Sequence, residues 1–523
     1  MKKLFPLIFV IALICSLSIS AMAQDLADSI TLGLSNDVES FNPWLMAQDA
    51  RQQVYYNQIY EPLARLTLDG QRDLVLAKSV EALGGGEYDI EIYDYIYDTK
   101  GNNIVASDIP FSFERCNEVG QLAWATRYLD HFEVTGDYTL KMFTKDESAV
   151  ALDMLLKTVY IVSEKSYNES ADQFAVDPVG TGPYALTSYV PGSSVVLTAR
   201  DDYWQTDESK ITIASRIGSA KTVTYKVITE ASQLSLALEM GEVDAVAGKP
   251  GIVTADLVNF MDPDRNVLPG YNATPYIDAL IYHLEFNGGE NSPLKDARLR
   301  QAIAYAIDVP AIAYAVFGSD AGVCTTNSSP YYADYDPALD EASYYEYDEA
   351  KAKELLAEAG YPNGLTLKLI AQNTDDFSRT AQLVAAYLSA VGINCEVNIC
   401  ESALFNTLRS DTTGTEWDIC LNTVMGLNST GRLGVLDKNA YSTGLNGLYV
   451  DDPVLQEKYM TANLAATYSP ETVTDLMNYI TENCYLYSMF YRRGFVIAKD
   501  YVTDIALDRN IALIPGATTI LAH

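Results

Sequence analysis

Histidine is scarce in this chain: His131, His283 and His523 are the only three in 523 residues. Hydrolysis by a Ser-His-Asp arrangement needs an imidazole to take the serine proton, and no G-x-S-x-G elbow accompanies these three. H-E-x-x-H and C-x-x-C are also absent, so a transition-metal site has little to build on. Cysteine is sparse. Seven are present, and the six beyond Cys15 are Cys116, Cys324, Cys395, Cys400, Cys420 and Cys484. That is too few for a disulfide-built scaffold, although an exported protein could still form one or two bridges or none. Basic residues number 35 against 70 acidic ones, a formal net charge of −35. Such a surface repels phosphate backbones and anionic lipid, which excludes nucleic acid as a partner. Beyond the first twenty or so residues, no run is apolar enough to cross a membrane.

The N-terminus is different. Lys2 and Lys3 precede an apolar run from Leu4 to Ile19, and Ala21-Met22-Ala23 supplies the small residues of a signal-peptidase site. Residues 1–23 therefore read as a signal peptide, with Gln24 as the new N-terminus and the mature chain released outside the cytoplasm. Lipid anchoring at Cys15 is the rival reading, opposed by Ile14 where a small residue is expected. About 500 mature residues exceed a single core, so two or three lobes are expected.

Strand and helix alternate clearly in places. Leu365 to Leu369 has the period of a strand. Ser378 is placed to cap a helix whose apolar face is Leu383, Val384, Tyr387, Leu388 and Val391. Gly392 ends it, and Ile393, Cys395, Val397 and Ile399 return to period two. This is a βαβ unit, hence a parallel strand pair. Asp348 caps a helix that Gly360 and Pro362 stop. A second βαβ unit runs through Val223-Tyr225-Val227, Leu234 and Leu238, then Val243 to Val246. Gly180-Thr181-Gly182 is followed by Pro183-Tyr184 rather than Lys-Ser or Lys-Thr, so it is a tight chain reversal and no phosphate loop.

Several segments then fall in a familiar order. They are Ala106-Ser107-Asp108-Ile109 with Phe111-Ser112-Phe113-Glu114-Arg115, Pro178 to Tyr184, Asp202-Tyr203-Trp204, and Gly241-Glu242-Val243-Asp244. Asn287, Pro293-Leu294 and Ala297 to Asp308 follow, then Tyr347 to Tyr361. In sequence and spacing this series resembles solute-binding protein family 5, the dipeptide, oligopeptide and nickel type. The resemblance implies an α/β, two-lobed periplasmic-binding-protein fold (type II, cluster C) with an extra domain inserted in lobe one. Lobe one would comprise 24–65, 180–286 and 488–523, the inserted domain 66–179, and lobe two 287–487. Hinge strands would pass near Glu285-Phe286-Asn287 and Tyr485-Leu486-Tyr487. The implied function is capture of a peptide or peptide-like ligand by hinge closure and delivery to an ABC permease and ATPase, as a monomer that is no enzyme and needs no cofactor or metal.

Ligand contacts carried over from the family fall on Gln48 and Asp49, on Gln372, Asn373, Asp375 and Asp376, and on Met425, Gly426, Leu427 and Asn428. Two departures stand out. Peptide-binding members place an acidic residue, partner of the peptide's ammonium, where Leu427 stands. A buried ammonium without a partner is costly, so either Asp375 or Asp376 substitutes or the ligand lacks a free amino terminus. Tyr93 replaces a usual arginine, within a segment that also holds Tyr88, Tyr95 and Tyr97. These tyrosines either line the cleft or simply face one side of a strand. A non-peptide ligand, such as an oligosaccharide or an opine-like compound, is the first alternative. Trp44, Trp124 and Trp417 are available for stacking, whereas Trp204 packs within its own motif. A secreted hydrolase working through paired carboxylates such as Asp375-Asp376 is the alternative of another class.

Overall fold

The computed structural model describes residues 25–45, 53–68, 70–120, 122–145, 147–249, 251–341, 345–411, 413–424, 426, 428–437, 448 and 450–523. The signal peptide, Cys15, Gln48, Asp49, Met425 and Leu427 lie outside them, as does the side chain of Trp124.

One mixed sheet of 11 strands runs through the molecule. In chain order its strands are β1 (Ser29–Leu34), β2 (Tyr184–Val190), β3 (Ser194–Ala199), β4 (Thr222–Val227), β5 (Ala245–Val246) and β6 (Tyr271–Phe286). They continue with β7 (Ala321–Val323), β8 (Leu365–Gln372), β9 (Ile393–Cys400), β10 (Ile419–Val424) and β11 (Leu486–Lys499). The spatial order is β9-β8-β10-β6-β11-β5-β1-β4-β3-β2, with β7 pairing β11 off this path.

The β6 and β11 strands hold the two lobes together. They are 16 and 14 residues long, and at about 3.4 Å per residue such a pair reaches across both halves. Tyr271–Ile277 pairs with Arg493–Lys499 inside lobe one, whose other strands are β5, β1, β4, β3 and β2. Ile281–Glu285 pairs with Leu486–Tyr491 inside lobe two, beside β10, β8 and β9. Between these stretches the register shifts at Ile277/Ile281, so Asp278, Ala279 and Leu280 form an irregularity where the ladder is broken. A broken ladder between two packed halves is where a strand bends most readily. It lies earlier in β6 than Glu285-Phe286-Asn287, which is regular strand as far as Phe286 and pairs with β10.

Local chemistry explains the elements. The β8-helix-β9 unit is parallel and in register, Leu365 opposite Ile393, around a helix at Asp375–Ala390. That helix begins one turn earlier than the Ser378 cap predicts. Thr374 holds the cap position, and Asp375 and Asp376 occupy the first turn, where carboxylates meet the positive end of the helix dipole. Asp348 does cap Glu349–Glu358, accepting from Lys351 N. Gly360 and Gly392 adopt φ of +94° and +95°, a region open to glycine at no steric cost. The second βαβ unit is also parallel, but β1 lies between β4 and β5 and pairs with both. Asp244 explains the Gly241–Asp244 motif: its carboxylate accepts from Thr31 N at 2.6 Å and Tyr501 Oη at 2.6 Å, fastening β1 to the C-terminal segment.

Residues 66–179 carry an antiparallel sheet of four strands and the helices Asp108–Val119 and Ala149–Thr158. Its core is continuous with that of lobe one, from Ile90 and Phe113 through Tyr56, Tyr60 and Trp204 to Tyr225. Buried Glu61 anchors the Asp202-Tyr203-Trp204 motif, accepting from Tyr203 Oη, Trp204 Nε1 and Ser215 Oγ at 2.7, 2.9 and 2.8 Å. The glycines of Gly180-Thr181-Gly182 serve close packing. A Cβ on either would lie 2.1 Å from Ile59 O or 2.4 Å from Gln58 O, so only glycine lets this strand entry abut the helix Gln53–Ile59. Among the described residues the six cysteines form no disulfide, and five of them are buried.

Candidate functional site

The lobes meet around a cavity of about 160 Å³ beside the irregular stretch of β6. At roughly 10–15 Å³ of such volume per water, this holds about a dozen water-sized groups, the scale of a short peptide. Lobe one supplies Asn57, Arg65, Lys249, Asp508 and Arg509, and the inserted region adds Asp73 and, from the Ala149–Thr158 helix, Lys157 with Tyr160 just beyond it. Across the gap lie Ala279 and Tyr331.

Polar groups of the wall are held by each other. Asn57 Nδ2 donates to Asp508 Oδ2 at 2.8 Å, and its Oδ1 accepts from Tyr160 Oη at 2.7 Å. Asp508 Oδ1 also accepts from the backbone of Asn510 and Ala512, each at 2.8 Å. Burial nevertheless raises the Asp508 carboxyl above its ordinary value. Lys157 is lowered to about 8, chiefly by burial and next by the neighbouring charge of Arg509, against the pull of Asp153 and Asp508.

Several contacts hold the lobes together here. Tyr331 Oη donates to Arg509 O at 3.2 Å, and the Arg509 guanidinium stands 4.8 Å from the Tyr331 ring centre. Lys249 Nζ pairs with Asp278 Oδ1 at 2.6 Å. On the far side Arg265 is bidentate to buried Asp320, both bonds 2.7 Å. Ala465 N donates to Glu147 O at 2.9 Å, joining lobe two to the inserted region.

None of the six described ligand candidates borders this cavity. Gln372 ends β8 half-buried, and Asn373 is exposed and donates to Glu401 at 2.9 Å. Asp375 is exposed in the first turn of its helix. Asp376 accepts from Tyr282 Oη and from Thr374 Oγ1, so its carboxylate is already engaged within lobe two. Gly426 and Asn428 lie on the loop after β10, whose last residue, Val424, pairs with Ile281, two positions from Ala279 of the cavity wall. Asn428 Oδ1 accepts from Gly431 N at 2.7 Å and caps the turn Ser429–Arg432. A Cβ on Gly431 would lie 3.2 Å from Val150, on the same helix as Lys157.

A buried polar chain fixes this loop. Arg432, 1% exposed, donates through Nη1 to Asn327 O at 2.9 Å and through Nη2 to Ser488 Oγ at 2.9 Å and His283 Nδ1 at 3.1 Å. A carboxylate can only accept, so Nε2 carries the ring proton and donates to Glu285 Oε1 at 3.2 Å, and in the neutral ring Nδ1 accepts from Arg432, with Ile281 O also 3.0 Å away. Arg409 closes the chain with two bonds to Glu285, 2.7 and 2.9 Å, and Asn422 adds a third at 3.1 Å. Burial opposes the charge on Glu285, yet Arg409 and His283 outweigh it and hold the carboxyl low. Burial depresses His283 and keeps it neutral. Sequence patterning missed this chain because its members are spread from 283 to 488 and only the sheet brings them together.

The tyrosines near Tyr93 pack on a strand and its surroundings. Tyr93 and Tyr95 lie 5.7 and 6.0 Å from Trp204, and none of Tyr88, Tyr93, Tyr95 and Tyr97 reaches the cavity. Trp44, Trp204 and Trp417 are buried in the cores. Among the described residues no cluster of His, Cys, Asp or Glu could hold a metal ion.

This architecture has known counterparts. HbpA2 from Haemophilus parasuis superposes with a TM-score of 0.80 at 18% identity, over 94% of this chain and all of that one. Oligopeptide-binding protein AppA of Bacillus subtilis (strain 168) is 24% identical over 413 residues, 73% of this chain and 70% of that protein. Glutathione-binding protein GsiB of Pectobacterium atrosepticum is 24% identical over 380 residues, covering 71% and 69%. Residues 74–432 match the family model described as bacterial extracellular solute-binding proteins, family 5, middle region. The motif series, the two lobes on one shared strand pair and this match place the chain in the bacterial extracellular solute-binding proteins, family 5.

Proposed function

We propose that this protein is the exported receptor of an ABC importer for a short peptide or peptide-like ligand, bound between the lobes and handed to the permease and ATPase. The single observation behind this reading is the 160 Å³ cavity between the lobes, whose charged wall comes from lobe one and the inserted region and is faced by Tyr331 of lobe two. Contacts to a ligand made by both lobes exist only when the cleft is shut, so binding shifts the population toward the closed form. The ligand class follows from relatives named for oligopeptides and glutathione. Division into lobe one, an inserted domain (66–179) and lobe two belongs to the same proposal, with the passage between lobes moved from 286/287 and 487/488 to the break at Asp278–Leu280 of β6 and the facing stretch of β11. So does release after Ala23.

Asp376 is already bonded to Tyr282, which argues against its replacing the missing acid at Leu427. A ligand with a blocked or absent amino terminus fits this better than a simple dipeptide. A thermal-shift screen of the mature chain against free and N-acetylated di- to pentapeptides, oligosaccharides and opine-like compounds tests the reading. Ligand at about 100 times its dissociation constant stabilises by about 2.7 kcal/mol, a shift of roughly 2–3 °C for a chain this long. Peptide-like hits support the proposal. A shift confined to oligosaccharides would replace the ligand class, and turnover of any hit would replace the receptor reading.

A further inference from the structure

Four cations stand on the cavity wall, and the protein uses them unequally. Lys249 is paired with Asp278 at 2.6 Å. Arg509 donates to Leu68 O at 3.3 Å and packs on Tyr331. Arg65 gives Nη2 to two backbone carbonyls, Asn57 O at 2.8 Å and Tyr60 O at 3.1 Å, while its buried Nε has no hydrogen-bond partner among the described residues. Lys157 lines the cavity and donates to none of the described residues. Two of the acids nearby are already supplied with donors: Asp153, on the same helix, by Arg72 at 2.7 Å, and Asp508 by Asn57 and two backbone N–H groups; the third, Asp73, lies in the field of Arg65.

The Lys157 ammonium stands on a partly apolar cavity wall without a protein acceptor among the described residues, and a group that accepts from it there offsets the cost of its desolvation. A carboxylate on the ligand does so through charge-assisted hydrogen bonds. We propose that Lys157, with Arg65 on the same wall, is the counter-ion for a ligand carboxylate, so that the protein selects short peptide-like molecules bearing a free carboxylate. The inference rests on the peptide-like reading above and names the group by which that ligand is held.

The charge on Lys157 is set first by burial, then by Arg509, by Asp153 on its own helix and by Asp508; Arg65 and Asp73 from the adjoining hairpin and Lys249 are the other charged groups on the same cavity wall. The hydroxyls of Tyr160 and Tyr331 complete its surroundings. With its ammonium lowered to about 8, Lys157 is charged at neutral pH and loses its proton just above. Binding of a carboxylate therefore weakens as pH rises from 7 to 9.

The test is calorimetric titration of the mature protein with a panel of N-acetyl dipeptides, each as free acid and as C-terminal amide. Acids are expected to bind at least tenfold more tightly than their amides. Lys157→Gln is expected to lose about 10–100-fold for the acids, the loss of one hydrogen bond to a charged group, and to weaken the amides by clearly less than the acids. Lys157→Arg is expected to retain acid binding and abolish its decline above pH 8, an outcome a merely structural lysine would not give. Amides that bind as tightly as acids, or acid binding untouched by Lys157→Gln, would overturn this inference and leave the peptide-receptor reading standing. If no acid and no amide binds, the peptide-like reading falls and this inference with it.

Discussion

Replacing Glu285 with alanine is expected to cost lobe two about 3 kcal/mol. Glu285 is 1% exposed and accepts four hydrogen bonds, two from Arg409 and one each from His283 and Asn422. Breaking a buried pair by removing one partner costs roughly 3–5 kcal/mol, because the other charge stays buried and uncompensated. The lower end applies because the Arg409 side chain keeps 19% exposure and can recover some hydration. The loss is also felt at Arg432, whose hold on His283 depends on the ring proton going to Glu285. In urea unfolding followed by circular dichroism, with an m-value of about 3 kcal/mol/M, the lobe-two midpoint should fall by about 1 M. Glu285→Ala combined with Arg409→Met should recover most of that loss, since apolar replacement of both partners is often neutral. A single variant within about 1 kcal/mol of the parent, or a double variant no better than the single, would refute the assignment of this chain as the lobe's buried anchor.

Acid should weaken the same lobe. His283 and Glu285 both have depressed values in the folded state, so each contributes stability that is present above its unfolded value, about 6.5 and 4.3, and is lost as pH falls through its folded value. The urea midpoint of lobe two is expected to decline from pH 7.5 to 5, and His283→Gln to flatten the part of that decline just below pH 6.5; a midpoint unchanged over this range would contradict the reading. Gly182→Ala should destabilise lobe one by about 3 kcal/mol or prevent folding, because its Cβ meets Gln58 O at 2.4 Å and neither backbone can yield; a thermal midpoint within 1 °C of the parent would show that the approach is not tight.

The sequence alone determined the family and the kind of layers. Alternation at Leu365–Leu369 and Ile393–Ile399, with a helical period between, depends on neighbours in the chain, and these elements stand where the pattern puts them. Motif order likewise needs no coordinates, and it identified the family that residues 74–432 match. What the tertiary structure decided is how distant residues share an environment. It put β1 between β4 and β5, and it set the break in the β6–β11 pair at Asp278–Leu280. It engaged the carboxylate of Asp376 with Tyr282, although nothing local distinguishes Asp376 from a free loop acid. It also set Lys157 against a cavity whose other walls come from residues 57 to 514. Burial and pairing of charge depend on three-dimensional surroundings, whereas period and capping depend on the next few residues. That is why the fold could be read from the chain while the charges of the site could not.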